Sequence, residues 1–144
     1  MNETAVTDIT SAQSSTFAAP LYASQPAAGF PAPGDDLVER ALDINDLVVK
    51  HPASTFFVRV SGDSMEGVGI FSGDVLVVDR AIEATHGRIV VAAVNGELVV
   101  KRLQIGVERE LVLVSENDQY EPIRIGDGEE CFVWGVVVGS VRQF

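Results

Sequence analysis

Val94-Asn95-Gly96-Glu97 constrains this chain more than any other stretch. Asn-Gly between two apolar, β-branched runs is the favoured two-residue hairpin turn, because both residues tolerate the positive φ that a type I′ turn demands. The turn joins Arg88 to Val94 with Leu98 to Leu103, and similar short runs recur at Phe56 to Ser61, Val75 to Asp79, Leu111 to Val114 and Phe132 to Val141. Runs of this length, divided by turn residues, specify a mainly β domain of compact, mostly antiparallel build. Two short helical turns are expected ahead of it. Asp36-Leu37-Val38-Glu39 carries an acidic cap with a Glu three positions on, and Asp43 to Val49 reads as a turn stopped by Pro52.

Counting outward from the hairpin fixes a register. Val94 opposes Glu97, so Lys101 opposes Val90 and shares a sheet face with Val99 and Ala92. An ammonium removed from water with no carboxylate partner gives up its proton more readily, leaving the neutral amine that a general base must be. The commoner fate of a strand lysine is structural, with its stem over apolar neighbours and its head in water. Arg102 points to the opposite face and keeps its proton. Upstream, Ser64 sits in Ser61-Gly62-Asp63-Ser64-Met65, a tight glycine turn after a β run. A serine so placed is a candidate nucleophile if a base lies within reach, and Lys101 is the best candidate for that base.

Other chemistries are poorly supplied. His51 and His86 each fall beside a turn residue, where an exposed or locally bonded imidazole is the default, and no motif supports a Ser-His-Asp triad with Ser64. Asp63, Asp74, Asp79 and Glu83 are scattered over turns without calcium-loop spacing, so no metal is expected, and the absence of a phosphate-cradling glycine loop gives no reason to expect a cofactor. The single cysteine, Cys131, excludes an internal disulfide and suits a reducing compartment; it and Trp134 read as packing residues. A formal charge of -11 repels phosphate backbones, so nucleic acid, if involved, is held by a protein partner. No basic signal region and no apolar run of membrane-spanning length is present.

Residues 1–34 are rich in Ser, Thr, Ala, Gln, Gly and Pro, with isolated Phe17, Leu21, Tyr22 and Phe30 and no helical or strand period. They are expected to form a flexible N-terminal arm, with residues 35–144 carrying the β domain. Within the arm, Pro26-Ala27-Ala28-Gly29-Phe30-Pro31 is extended and small. Composition alone makes it a linker; an extended small-residue peptide is also what a protease cleft accepts.

Several segments resemble the LexA/UmuD self-cleaving serine peptidases, the UmuD-like branch most closely. They are Ser61 to Met65, Gly69-Ile70, Gly73 to Asp79, His86 to Val90 and Gly96 to Leu103, together with Gly29 to Pro33, His51-Pro52 and Trp134 to Val137. The resemblance implies a LexA/signal-peptidase-like fold of several curved antiparallel sheets and a Ser-Lys dyad, Ser64 as nucleophile and Lys101 as base. It implies that the Ala28-Gly29 bond is the cleavage site, and that the amides of Ser64 and Asp63 form the oxyanion hole. It further implies a cytoplasmic homodimer, stimulated by a RecA filament on single-stranded DNA, whose processed form joins the catalytic subunit of a translesion DNA polymerase in the SOS response. No sequence-specific DNA binding is implied, since no helix-turn-helix fits before Gly29. Two rivals differ in class: a signal-peptidase-like processing enzyme, which needs a membrane anchor, and a non-enzymatic polymerase-binding module with a vestigial dyad.

Overall fold

Short β-branched runs become strands where a neighbouring edge can take their hydrogen bonds. In the computed structural model, which describes residues 3–12, 18–22, 38–126 and 130–144, these strands are β1 (Ala5–Ser11), β2 (Ala19–Tyr22), β3 (Val38–Leu42), β4 (Thr55–Ser61), β5 (Val75–Asp79), β6 (Ile89–Val94), β7 (Glu97–Ile105), β8 (Leu111–Val114), β9 (Ile123–Ile125) and β10 (Cys131–Val141). One α-helix, α1 (Ile44–Val48), follows Asp43, whose carboxylate accepts from the Asn45 amide at 2.8 Å as an N-cap. Single 3-10 turns cover Pro52–Ser54 and Glu66–Val68.

The main sheet runs β1-β4-β5-β10-β6-β7-β8-β9, and β1 also pairs with β7. That extra pairing joins the ends of the run β1-β4-β5-β10-β6-β7 into a closed barrel, leaving β8 and β9 as an extension along the outer edge of β7. Closure removes the unpaired edges that an open sheet would present to other chains. All pairings are antiparallel, as the alternating runs lead one to expect. The hairpin has the counted register: Val94 opposes Glu97, Ala92 opposes Val99 and Val90 opposes Lys101. Its turn carries φ of 50° at Asn95 and 83° at Gly96, the two positive values a type I′ turn requires.

Both faces of the hairpin are buried, in different clusters. Val91 and Val100 join Val58, Val60, Met65, Ile70, Leu76 and Val78, while Val90 and Ala92 join Leu103, Leu113 and Val136. Each fully buried valine or leucine adds roughly 1.5–3 kcal/mol by leaving water, so the double-sided burial anchors β6 and β7 firmly. Trp134 packs against the first cluster with its ring 5.3 Å from that of Phe56, and Cys131 against the second. At the far end of β10, Arg142 grips the buried Asp74 with Nε on Oδ1 and Nη2 on Oδ2, both at 2.8 Å. Those hydrogen bonds hold the Asp74 carboxyl below the ordinary carboxylate range against the opposing effect of burial.

Two expectations are corrected. Asp36 to Glu39 is expected to open a helical turn, but Val38 and Glu39 begin β3, because β2 lies alongside and pairs Ala19 with Leu42 and Leu21 with Arg40. Residues 1–34 were expected to lack regular structure, yet β1 and β2 arise within them, and β1 is a stave of the barrel. β1 holds the β-branched Val6, Thr7, Ile9 and Thr10, and its hydrogen bonds come from the edges of β4 and β7. Ala28 and Gly29 lie outside the described residues.

Candidate active site

The serine turn is built by β4 running into Gly62, whose φ of 107° a residue with a Cβ would adopt only under strain. The turn brings Ser64 inward, and Met65 behind it is fully buried in the first cluster, so the serine is anchored on its C-terminal side. On the other side Asp63 is fixed twice: its carbonyl accepts from Asn117 Nδ2 at 2.9 Å, and its Oδ1 from the Tyr120 hydroxyl at 2.5 Å. Gly67, one turn further on, donates its amide to the Glu116 carbonyl at 2.8 Å.

Ser115, Glu116, Asn117 and Tyr120 all follow β8, and this loop also reaches the lysine strand. Lys101 is fully buried, and its Nζ donates to Ser115 Oγ and to the Glu3 carboxylate, with the Tyr120 ring centroid 5.5 Å away. Arg102 leaves by the opposite face, as expected, and donates to Glu116 and to the Gly87 carbonyl. One loop therefore clamps the serine turn and the lysine strand to each other. None of these loop residues carries a motif that singles it out in the sequence.

Ser64 is also fully buried, and its Oγ accepts the Thr4 amide at 2.8 Å. The side chains of Ser64 and Lys101 thus converge on one dipeptide, Glu3-Thr4, and no hydrogen bond joins them directly. Lys101 is buried beside apolar strands as expected, but the expectation that it lacks a carboxylate partner is corrected by Glu3. Burial pushes the Tyr120 hydroxyl up to about 12, helped by its hydrogen bond to Asp63 and by the charges of Asp63, Glu3 and Glu66.

The remaining polar residues are engaged elsewhere. His51 Nδ1 lies 2.5 Å from Asp79 Oδ2, and His86 Nδ1 accepts the Ile105 amide at 2.9 Å, so neither histidine serves Ser64. Among the described residues no three His, Cys, Asp or Glu side chains gather as a metal would require. No described helix is long and apolar enough to cross a membrane.

A barrel that buries a turn serine and a strand lysine against the same dipeptide has the outline of a serine peptidase. Residues 20–138 match the Peptidase S24-like family, and the chain belongs to it as a UmuD-like member of the LexA/UmuD group. It is 41% identical over 128 residues to protein ImpA of Salmonella typhimurium, covering 89% of this chain and 86% of that protein. Protein MucA of Escherichia coli is 41% identical over 125 residues, with 86% of this chain and 84% of MucA covered. The LexA repressor of Shewanella baltica is 37% identical over 120 residues, which span 83% of this chain and 57% of the repressor.

Proposed function

We propose that this chain is a serine endopeptidase that cuts its own Ala28-Gly29 bond through a Ser64-Lys101 dyad. The observation that carries the reading is the convergence of a buried hydroxyl and a buried amine on one dipeptide, in a chain of the S24-like family. In the reaction Ser64 Oγ attacks the Ala28 carbonyl carbon while neutral Lys101 takes the hydroxyl proton. The tetrahedral adduct collapses, the bond from Ala28 carbon to Gly29 nitrogen breaks, and Lys101 returns the proton to the departing amine. Water, deprotonated by Lys101, then hydrolyses the ester, freeing the Ala28 carboxylate and restoring Ser64.

The oxyanion falls to the amides of Ser64 and Asp63. A trans peptide points its N–H opposite its C=O. Because Asn117 pins the Asp63 carbonyl, it also fixes the direction of the Ser64 N–H, which supports a preorganised donor. In the cell the active species is a cytoplasmic homodimer. A RecA filament on single-stranded DNA stimulates cutting, and the processed form serves as accessory subunit to the catalytic subunit of a translesion polymerase in the SOS response. The formal charge of -11 suits a chain that meets DNA through a protein.

Intact mass of the purified chain, incubated at alkaline pH and separately with RecA filament, tests the reading. A new N-terminus at Gly29, forming faster as pH rises, is expected. A full-length mass after prolonged incubation with filament leaves a binding module instead.

A further inference from the structure

We infer that the channel between β4 and β7 is a binding site for an extended peptide bearing a carboxylate. Its resident occupant is residues 3–11 of this chain, seated so that Ser64 and Lys101 are both engaged and neither can react. The kinetic consequence rests on the peptidase reading above; the docking does not.

The channel is one strand wide. β1 pairs with β4 from Ala5 opposite Ser61 to Ser11 opposite Phe56, and with β7 at Ala5 opposite Val99. The Val100 amide donates to the Thr4 carbonyl at 2.8 Å, and the Ala12 amide to the Thr55 carbonyl at 3.0 Å. Neighbouring strands lie about 4.8 Å apart, so a second peptide cannot enter beside β1. The segment around Ala28 reaches the serine only once residues 3–11 have left.

At its leading end the occupant presents the wrong atoms for cleavage. Ser64 Oγ accepts the Thr4 amide, which places the oxygen near the plane of the Glu3-Thr4 peptide. Attack on a carbonyl carbon requires approach across that plane, so the contact is close yet unreactive. Meanwhile the Lys101 ammonium faces the Glu3 carboxylate, and an ammonium has no lone pair with which to take the serine's proton. The occupant is also held imperfectly. Thr4 is fully buried and its hydroxyl has no hydrogen-bond partner among the described residues, an uncompensated group that weakens docking. A strand that plugs the channel but carries a built-in flaw suits release by a partner.

The test uses the full chain and three variants. Thr4→Pro removes the amide that Ser64 accepts, Glu3→Gln removes the charge facing Lys101, and Thr4→Val replaces the unpaired hydroxyl with a methyl group of similar shape. The rate at which Gly29 appears as a new N-terminus should rise about ten- to a hundred-fold in Glu3→Gln, the range expected for losing a buried hydrogen bond to a charged group, and about two- to tenfold in Thr4→Pro, which loses a neutral one. It should fall severalfold in Thr4→Val. In parallel, hydrogen exchange at the Val100 amide reads docking whether or not the chain cuts itself. That amide should be protected in the unaltered chain, less so in Thr4→Pro and more so in Thr4→Val. Loosened exchange with an unchanged cleavage rate overturns the inhibitory role, and an unprotected Val100 amide in the unaltered chain overturns the occupancy. If no variant is ever cut, the peptidase reading falls, while Val100 protection that Thr4→Pro abolishes still supports the occupancy.

Discussion

Lys101 Nζ donates to Ser115 Oγ, so the amine at the end of the strand lysine is held by a hydroxyl from the loop that follows β8. Both residues are buried, so the contact is not a fleeting surface bond. A four-carbon side chain has many rotamers, and a base must hold its nitrogen within about 3 Å of the proton it takes. Ser115 restricts those rotamers and therefore acts as a positioning residue for Lys101.

Ser115→Ala should slow self-cleavage about a hundred-fold, the usual cost of a displacement of roughly 1 Å at a reacting group. Ser115→Thr keeps the hydroxyl and should restore most of the rate. A purely structural role predicts parallel losses of melting temperature in both variants. Cleavage rates measured across pH beside thermal melts separate the two accounts.

Ser64→Ala and Lys101→Ala should each abolish processing, by at least about a thousand-fold, with a folded barrel retained. Lys101→Arg preserves the charge opposite Glu3 but puts a guanidinium where an amine must lose its proton, so it too should stay uncut. Intact mass after alkaline incubation, with circular dichroism for folding, checks all three. Cutting at Gly29 in either alanine variant moves the active site elsewhere.

Tyr120 and Asp63 couple the serine turn to pH. The tyrosine hydroxyl is raised from an ordinary 10.0 to about 12, so the folded chain keeps a proton that the unfolded chain releases earlier. A group raised in the folded state contributes stability that is fully present below pH 10 and is lost as pH climbs toward 12. Denaturant unfolding at stepped pH should show that decline in the unaltered chain and a flatter curve in Tyr120→Phe. An identical alkaline decline in the variant assigns the effect to other groups.

The lysine-bearing strand is legible in the sequence because its information is local. Asn95-Gly96 sets the turn, the turn sets the register, and the register puts Lys101 opposite Val90 with no knowledge of the rest of the chain. The acidic cap at Asp36 to Glu39 points to a helix, and Glu39, Arg40, Ala41 and Leu42 are good helix formers, yet this stretch becomes a strand beside β2. β1 escapes because its β-branched Val6, Thr7, Ile9 and Thr10 lie in a segment whose overall composition reads as an unstructured arm, and its place is decided by the distant edges of β4 and β7. The loop holding Ser115, Asn117 and Tyr120 acts through contacts far along the chain, 54 positions from Asn117 to Asp63 and 57 from Tyr120 to Asp63. No spacing rule detects such contacts. The Glu3 carboxylate against Lys101, 98 positions away, escaped for that reason too.

Gly67 tests whether that loop and the serine turn must touch. A Cβ at this position would stand 2.5 Å from the Glu116 carbonyl oxygen, a backbone atom that cannot swing aside, in a place where the Gly67 amide already donates to the same oxygen at 2.8 Å. Gly67→Ala must therefore push the turn after Ser64 away from the loop that holds Lys101 and Asp63. The expected cost is about 1–3 kcal/mol in denaturant unfolding, typical of overpacking, together with slower cleavage. Gly126→Ala is the control, since a Cβ there meets nothing within 4 Å, and it should leave cleavage unchanged. A Gly67→Ala chain that loses stability but cuts at the normal rate would separate the clamp from the chemistry, making the loop a brace for the fold alone.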